Sequence, residues 1–419
     1  MRVLFLTARF PYPPLKGDKI VSYQRLKHLS RNHQITLLSF CDDTLKRQDL
    51  AEIEKLCHDV QTIPLRRTEV YSNLMLGGFA DTPFQVLYHR SRAFQRKLSE
   101  LLAHNTFDLL HVFMLRIAPY VAEYTGCPKL LELIDSMELN MERRASLERG
   151  IKRMLFREEA RRLAQYECRL AEQFDRAVVV SDVDARVIKA RNLRVSPLGI
   201  DFQQFYPRPV KNGENHLVVF TGNMQYFPNE NAALYFANEV FPRIQRKVAG
   251  ARFWVVGGGP SAKLRLLEDR NKAVRIVGFV NSMCEYINRA SVSVCPMLAG
   301  SGMQFKILEA LACGVPVVAT SVAKGDIRIS EEEGLLIADD PVTFADKVAG
   351  IIESGQRQKD AALRAREILK RQYSWRQCNA VIDQIYAELS GRKNRSNHEK
   401  STHHRNHGSG WQLPRGVPA

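Results

Sequence analysis

The feature that most limits the fold of this chain is the repeated alternation of short apolar runs with amphipathic segments. The apolar runs indicate buried strands, and in chain order they are Val3–Leu6, Ile35–Phe40, Leu109–Phe113, Leu130–Ile134, Val178–Val180, Leu217–Thr221, Phe253–Val256, Val274–Val277, Val292–Cys295 and Val317–Thr320. Helical patterns separate the later runs at Ala232–Val240, Ser261–Leu267 and Gln304–Ala312. Continuously apolar strands that alternate with helices are typical of parallel sheets covered on both faces. The sequence therefore predicts an α/β protein with two Rossmann-like domains in series.

The length and one irregular stretch set the expected domain organisation. At 419 residues the chain exceeds the size at which one hydrophobic core keeps growing. We place the boundary at Ser196–Gly199, because the Pro- and Gly-containing stretch Phe205–Asn215 follows it. The predicted domains begin at residues 1 and 198. A basic tail, 391–419, is poor in apolar residues and is predicted to be disordered.

The formal net charge of +16 indicates an anionic partner: nucleic acid, anionic lipid or a phosphorylated substrate. The sequence has no zinc-finger spacing, RNP-type aromatic strand or helix-turn-helix signal, so nucleic acid is not a predicted partner. No apolar run approaches the roughly 18 residues that a membrane span needs. The eight cysteines are scattered without Cys-x-x-Cys pairs. This usage suits free thiols in a reducing compartment, and we expect a cytoplasmic protein.

The segment Gly300–Pro316 combines features of an anion-binding helix start. Ser301 is the predicted N-cap, and its flanking glycines, including Gly302, let a ligand approach the backbone closely. Gly314 suits the position just after the helix. Free N–H groups at such a start, together with the helix dipole, suit a diphosphate.

Two charged residues of this segment lie on one face of the predicted helix. Lys306 and Glu309 are three positions apart. The cation can add charge at a diphosphate, and the carboxylate can accept hydrogen bonds from ribose hydroxyls. The alternative is a plain glycine-capped helix with one surface ion pair, because Gly-x-Gly before a helix is weak evidence by itself.

The same segment resembles the donor-binding signature of the retaining glycosyltransferases of family four, which have the GT-B fold. Further segments similar to this family are Tyr12–Asp18, Val195–Asp201, Val219–Met224, Phe253–Pro260, Val277–Val280 and Tyr373–Trp375. The resemblance covers nearly the whole chain apart from the tail. Lys16–Asp18 and the Gly-Ser-Gly sequence are similar to a subgroup associated with PEP-CTERM/exosortase and exopolysaccharide loci.

The resemblance implies an activity and a set of residues. It implies transfer of a sugar, with retention, from a nucleotide-diphosphate donor to a glycan or polyprenyl-linked acceptor. We expect no metal or other cofactor, because we recognise no metal-ligand spacing or Asp-x-Asp motif at the expected site. It implies a second domain of residues 198–375 and a helix, 376–390, that returns to the first domain, 1–197. The implied donor-binding residues are Gly17, Gly222, Asn223, Phe279, Val280, Ser301, Gly302, Lys306 and Glu309.

The chain departs from the family pattern at two places. Ser301 stands where the family has the first of two glutamates, and the loop Asn223–Asn229 lacks the usual Arg and Lys. Phosphate charge would then rest on backbone amides and Lys306. Two other functions stay open at this point: a non-catalytic nucleotide-sugar-binding scaffold subunit, and a nucleotide-sugar epimerase of the same architecture.

Two first-domain residues are candidates for catalysis. His111 follows Leu109–Leu110 and is expected at a strand end that faces the cleft; in the resembled family a histidine of this region lies near the reacting sugar. Its alternative is a core histidine. Asp135 follows the next strand and can act on the acceptor hydroxyl. Its alternative is the N-cap of the helix that follows.

An arginine-rich helical pattern extends over residues 141–174. Arg149, Arg153, Arg157 and Arg161 recur every four residues beside an apolar face. Such a helix suits peripheral binding to the anionic inner face of the plasma membrane. The alternative is a surface helix whose glutamates pair locally with the arginines.

Overall fold

The computed structural model describes residues 1–42, 45–77, 81–209 and 216–403, and within them it has two parallel sheets. The strands of the first sheet are β1 (Arg2–Thr7), β2 (Gln34–Cys41), β3 (Asp59–Pro64), β4 (Leu109–Phe113), β5 (Lys129–Ile134), β6 (Arg176–Val179) and β7 (Leu193–Val195). Their order across the sheet is β3-β2-β1-β4-β5-β6-β7. The helices of this half are α1 (Gly17–Leu29), α2 (Arg47–Glu54), α3 (Arg67–Leu76), α4 (Phe84–Tyr88), α5 (Arg92–His104), a 3-10 turn (Leu115–Tyr120), α6 (Met137–Leu147), α7 (Gly150–Glu172) and α8 (Asp182–Ile188).

The second sheet repeats the design with six parallel strands in the order β10-β9-β8-β11-β12-β13. They are β8 (Leu217–Thr221), β9 (Arg252–Val256), β10 (Val274–Gly278), β11 (Val292–Cys295), β12 (Val317–Ala319) and β13 (Leu335–Ile337). The helices are α9 (Phe227–Tyr235), a π-helix (Phe236–Val240), α10 (Phe241–Lys247), α11 (Ala262–Arg270), α12 (Met283–Arg289), α13 (Phe305–Ala312), α14 (Ser321–Lys324), a 3-10 turn (Glu331–Glu333), α15 (Pro341–Ser354), α16 (Gln356–Gln372) and α17 (Trp375–His403). The two Rossmann-like domains predicted from the apolar runs are confirmed.

Three strands were not predicted, and all three lie at sheet edges. β3 and β7 form the two edges of the first sheet, and β13 forms one edge of the second. No residue of β3 or β7 is buried, so neither strand carries the continuous apolar run that marks an inner strand. β7 and β13 are also only three residues long.

The predicted helix over 141–174 is two helices. α6 ends at Leu147 and α7 begins at Gly150, whose φ of +57° is a conformation that favours glycine. Of the four arginines, Arg149 is the N-cap of α7 and the other three lie on α7. The correction matters for the membrane hypothesis because the apolar and basic residues now belong mainly to one 23-residue helix.

The last helix, α17, returns to the first domain. Ile382, Ile385, Tyr386 and Leu389 pack into the core on one face of the first sheet. The helix begins at Trp375 and continues past 390 to His403, while residues 404–419 of the predicted tail lie outside the described residues. Where the chain enters and leaves the second domain, the two segments run side by side, since Ile200 N–H donates to the Tyr373 carbonyl at 2.7 Å.

A buried charge network ties both of these segments to the first sheet. Arg25 of α1 contacts both carboxylate oxygens of Glu132 in β5, at 2.9 and 3.2 Å from Nε. Its other nitrogens donate to Asn379 of α17 and, at 3.1 Å, to Ser196 after β7. Arg25 and Glu132 are each about 1% exposed. Although burial favours a neutral carboxyl, Arg25 and His111 lower the pKa of Glu132 to about 2.

Candidate active site

The strand order reverses at the same relative position in each sheet. In the first sheet the reversal lies between β1 and β4, and in the second between β8 and β11. In open parallel sheets, ligands bind beyond the carboxyl ends of the strands at this point. The segments that leave these ends include the Gly17 loop after β1, Gly222–Asn223 after β8 and Gly300–Gly302 after β11. Most of the predicted site residues therefore lie where this fold forms a crevice.

The loop Gly300–Gly302 does not cap α13 as predicted. The helix begins at Phe305, and its N-cap is Gln304 rather than Ser301. Gly300 and Gly302 have φ of +118° and +67°, which explains the two glycines as turn residues. The predicted helix end is confirmed, since Gly314 follows the C-cap with φ of +72°.

Ser301 contacts the first domain instead. Its Oγ donates to Oδ2 of Asp135 at 2.5 Å. A Cβ on Gly302 would lie 3.1 Å from the Asp135 Cβ, so the loop approaches Asp135 closely. Arg143 of α6 donates to the Gly300 carbonyl at 2.6 Å, and Asp184 accepts from the Gly302 N–H. The structure thus brings three predicted residues, Ser301, Gly302 and Asp135, into one cluster between the domains.

Asp135 is held at this cluster by the local backbone. Ser136, not Asp135, caps α6 by accepting from Leu139 N–H, which leaves the Asp135 carboxylate free to reach Ser301. Ile134, which precedes it, has φ of +73°, an unfavourable conformation for a β-branched residue. Burial, and then the neighbouring Asp184 carboxylate, raise the pKa of Asp135 to about 6.

Lys306 is 9% exposed and has only uncharged hydrogen-bond partners among the described residues. Its Nζ donates to Oδ1 of Asn229 at 3.1 Å and to Oε1 of Gln304 at 3.0 Å. The side chain also lies over the Phe220 ring, 5.7 Å from its centroid. A buried ammonium group without a bonded carboxylate is costly and marks a place where an anion is stabilised.

Glu309 is one turn further along α13 and is half-buried. No hydrogen bond to its carboxylate is formed within the described part of the chain, and Lys306 is the charge that acts on it. Burial raises its pKa to about 7, with Lys306 opposing the shift. The predicted cation and carboxylate on one helix face are therefore present. The carboxylate oxygens of Glu309 can accept hydrogen bonds from a ligand.

The loop after β8 is built from close backbone contacts. A Cβ on Gly257 would lie 1.7 Å from the Gly222 carbonyl oxygen, so only glycine fits there. Asn223 accepts from the Gln225 N–H at 3.0 Å, and its carbonyl accepts from Asn229 at 2.9 Å. Asn229 thereby joins this loop to Lys306.

Phe279 and Val280 lie directly after β10, which pairs with β9. Phe279 is 63% exposed, and a Cβ on Gly258 would lie 3.7 Å from it. Val280 packs against the core of the second domain. An exposed aromatic ring at the edge of a glycine-lined surface is available to stack on a nucleobase.

Gly17 starts α1 on the opposite side of the crevice. A Cβ there would lie 3.9 Å from the Phe305 ring. The predicted phosphate-facing loop of the first domain therefore meets the first residue of the helix that carries Lys306.

The predicted strand-end position of His111 is wrong. His111 is the third of the five residues of β4 and is 0% exposed. Its ring nitrogens contact the Tyr386 hydroxyl at 2.8 Å and Glu132 at 3.1 Å. The alternative, a core histidine, describes this position, and burial lowers the pKa of His111 despite the contact with Glu132.

The sequence reasoning missed several residues of the crevice. Arg143 and Arg116 carry no motif of their own. Asn229 and Tyr226 lie in the Asn223–Asn229 loop, which was noted only for its lack of cations; Asn229 accepts from Lys306, and the Tyr226 hydroxyl accepts from Asn140 at 3.0 Å. Their positions depend on contacts between elements far apart in sequence, so no local signal identified them.

The chain contains one Asp-x-Asp sequence, Asp182–Asp184, which the expectation of metal independence overlooked. Asp182 lies 3.4 Å from Arg328, whereas Asp184 is buried and accepts from the Ser136 N–H at 2.9 Å. The two carboxylates thus serve separate contacts. Within the described residues, no group of three or more His, Cys, Asp or Glu side chains is arranged to hold a metal ion.

The architecture is that of known proteins. The chain superposes on sucrose-phosphate synthase from Thermosynechococcus elongatus with a TM-score of 0.71 and 17% identity, covering 94% of this chain and 100% of that one. It superposes on Anabaena Alr3699/HepE in complex with UDP with a TM-score of 0.67 and 14% identity, covering 93% and 100%. Two parallel-sheet, Rossmann-like domains facing a shared crevice define the GT-B fold.

Comparison of the sequence with known families and proteins gives further information on the second domain. Residues 215–354 match the family described as "Glycosyl transferases group 1", so the chain contains a group 1 glycosyl transferase domain. The chain is also 28% identical over 203 residues to the phosphatidyl-myo-inositol mannosyltransferase of Mycolicibacterium smegmatis, covering 46% of this chain and 52% of that protein. It thus aligns with about half the length of this curated relative.

Proposed function

We propose that this protein is a retaining glycosyltransferase of family four that transfers a sugar from a nucleotide-diphosphate donor. The acceptor is a glycan or a polyprenyl-linked glycan, and the pathway is the assembly of exopolysaccharide or another cell-surface polysaccharide. One observation carries the proposal: inside the group 1 domain, a buried Lys306 lies beside a carboxylate, Glu309, that has no hydrogen-bond partner among the described residues. The curated relative supports it, because its name assigns mannosyl transfer to a phosphoinositide lipid.

The reaction proposed for these residues needs no covalent enzyme nucleophile. The bond from the anomeric carbon to the diphosphate oxygen breaks, the acceptor oxygen bonds to the same face of that carbon, and its proton passes to the leaving phosphate. Lys306 and the loop amides stabilise the negative charge that develops on the diphosphate, while Glu309 orients the ribose. We propose that this needs no divalent metal, since the cation comes from Lys306.

A donor panel tests the proposal. Purified protein is mixed with UDP-, GDP- and ADP-sugars and followed by thermal unfolding and by release of the nucleoside diphosphate, with and without EDTA. We expect one nucleotide series to raise Tm and to be turned over when a lipid-linked acceptor pool is added. Absence of any thermal stabilisation would contradict nucleotide-sugar binding.

A scaffold function is the second candidate, and Ser301 is the observation that favours it. Ser301 replaces the first family glutamate and is engaged with Asp135 rather than open to a sugar. Thermal stabilisation by a nucleotide sugar without hydrolysis or transfer would establish this function. The epimerase alternative requires several crevice carboxylates and histidines, and His111 lies inside the first sheet.

The raised pKa of Glu309 predicts how donor binding depends on pH. Ribose hydroxyls donate to the ionised carboxylate, so nucleotide affinity is expected to rise as pH increases through about 7. In the free protein the sign is opposite: the folded state retains a proton that the unfolded chain has lost. Glu309 therefore makes the free energy of unfolding fall between pH 4.5 and about 7.

Glu309→Gln is expected to abolish this pH dependence and weaken nucleotide binding roughly 10-fold, as measured by calorimetry from pH 5.5 to 8.5. Glu239→Gln, an exposed substitution on the π-helix, is the matched control. Unchanged affinity in Glu309→Gln at pH 8 would show that Glu309 does not contact the ribose.

The proposal also includes a membrane-binding surface on α7. α7 exposes Ile151, Met154 and Leu155 at 77%, 71% and 53%. Arg149, Arg153 and Arg157 are exposed beside them and have no ion-pair partner among the described residues, whereas Arg161 pairs with Glu158 at 2.9 Å. α3 exposes a second apolar set, Tyr71, Met75 and Leu76. No helix in the described ranges is both long and apolar enough to cross a bilayer.

We expect the protein to cosediment with vesicles containing phosphatidylglycerol and to be released by high salt. Replacing Arg149, Arg153 and Arg157 by Gln should lower vesicle affinity roughly 100-fold, at about 1 kcal/mol for each charge. Leu266→Ser, which removes an exposed leucine from α11 of the second domain, should change nothing. Equal binding to neutral phosphatidylcholine vesicles, or no binding to anionic ones, would refute this surface.

A further inference from the structure

Arg116 is a half-buried cation whose nearest partners are uncharged. It lies in the 3-10 turn that follows β4. Its Nη2 donates to Oε1 of Gln85 at 2.9 Å, and its Nη1 lies 3.8 Å from the Met114 sulfur. None of the carboxylates in the described ranges is ion-paired with it. The guanidinium therefore keeps its charge unneutralised at contact distance.

Groups from both domains act electrostatically on Arg116. Asp18, next to Gly17, and Asp135, which contacts Ser301, both act on it electrostatically, as does Tyr226 of the second domain. Its turn follows the carboxyl end of β4, which pairs with β1 at the point where the strand order reverses, so Arg116 lies on the first-domain side of the crevice, within electrostatic reach of both domains.

Neither nearby carboxylate is available as a direct partner. Asp18 is paired with Arg9 at 2.9 Å, and Asp135 accepts from Ser301 at 2.5 Å. Burial, and then Arg9, lower the pKa of Arg116 to about 10, so it remains protonated at neutral pH. Holding such a cation without a bonded anion is unfavourable unless a ligand supplies the anion.

We propose that Arg116 binds an anionic group of the acceptor, a phosphate or a carboxylate, and thereby selects acidic acceptors. The inference rests on the proposed function, in which Lys306 and the glycine loops take the donor diphosphate. The planar guanidinium presents paired N–H donors, and across the described ranges the one contact of Nη1 is with a sulfur. This geometry matches phosphate and carboxylate oxygens. Arg116 is thus a specificity-determining residue on the acceptor side.

The test measures anion binding while the donor site is occupied. The protein is saturated with the nucleoside diphosphate that stabilises it most, and glucose 1-phosphate, glucuronic acid and glucose are then titrated by calorimetry. We expect both acidic sugars to bind at least 10-fold more tightly than glucose. Undecaprenyl phosphate in neutral detergent micelles distinguishes the source: tighter binding than glucose 1-phosphate identifies a lipid phosphate, and weaker binding a soluble one.

Substitutions of Arg116 test whether this residue causes the preference for acidic sugars. Arg116→Gln should reduce the affinity for the acidic sugars roughly 10- to 100-fold, to that of glucose, and leave nucleotide affinity unchanged. Arg116→Lys should retain part of the preference because it keeps the charge. Arg265→Gln, an exposed substitution on α11, is the matched control and should behave like the wild type.

Two results would overturn the inference while leaving the proposed function in place. One is equal affinity for glucose and the acidic sugars. The other is an Arg116→Gln variant that loses nucleotide affinity but keeps the acidic preference, which would place Arg116 at the donor. Failure of every nucleoside diphosphate to bind is a different outcome, because it contradicts the proposed function itself.

Discussion

Replacing Arg25 by Met is expected to lower the free energy of unfolding by about 3–5 kcal/mol, because it leaves Glu132 charged, buried and without its cation. The loss should be visible in urea unfolding followed by circular dichroism. It should also extend to the contacts between domains, since the same guanidinium holds Ser196 and Asn379. Limited proteolysis near Ser196 should therefore become faster.

The double variant Arg25→Met/Glu132→Leu separates the charge from the packing. Removing both charges replaces an ion pair with apolar groups, so it should recover much of the stability lost in Arg25→Met. Arg265→Gln again serves as the exposed control. A double variant as unstable as Arg25→Met would show that the contacts to Ser196 and Asn379, rather than the buried charge, dominate.

Lys306→Met is expected to lower kcat by roughly 10²–10³-fold while leaving the fold intact. The ammonium group is proposed to stabilise charge on the leaving diphosphate, and losing one such donor has effects of this size. Stability should be unchanged or higher, because the buried ammonium has only amide and thioether partners in the described part of the chain and methionine is similar in shape.

The fall in kcat is measured by the release of nucleoside diphosphate under saturating donor. The stability is measured by thermal unfolding. Lys263→Met, an exposed substitution on α11, is the control. A Lys306→Met variant with normal turnover would remove Lys306 from the proposed site. A variant that is both inactive and unfolded would show that Lys306 mainly stabilises α13.

The sequence was sufficient to predict most of the architecture. All ten predicted strands are present. Nine of them are inner strands, which are buried on both faces and leave continuous apolar runs, and the tenth, β10, is an edge strand that still carries the run Val274–Val277. The edge strands β3, β7 and β13 were missed because edges are less buried or very short. The single helix predicted over 141–174 was wrong because the break at Gly150 leaves the helical periodicity on either side of it intact.

The site could be predicted only in part. Lys306 and Glu309 were found because their spacing on one helix turn is a local property. Ser301 was placed as a helix cap, but its hydroxyl contacts Asp135, 166 residues earlier, and no local pattern predicts such a contact. The burial of His111 likewise depends on Tyr386 of the last helix. Arg116 was recognised as a candidate residue only from the charged groups near it in the folded structure.

The contact of Ser301 and Gly302 with Asp135 has a consequence for protein engineering. Changing Ser301 to the glutamate that the resembled family four has at this position would set a third carboxylate beside Asp135 and Asp184. A Cβ at Gly302 would lie 3.1 Å from the Asp135 Cβ, and the φ of +67° at this position also disfavours a side chain. The loop and the end of β5 are therefore coupled, and grafting this loop from another protein of the same fold requires the end of β5 to be redesigned together with it.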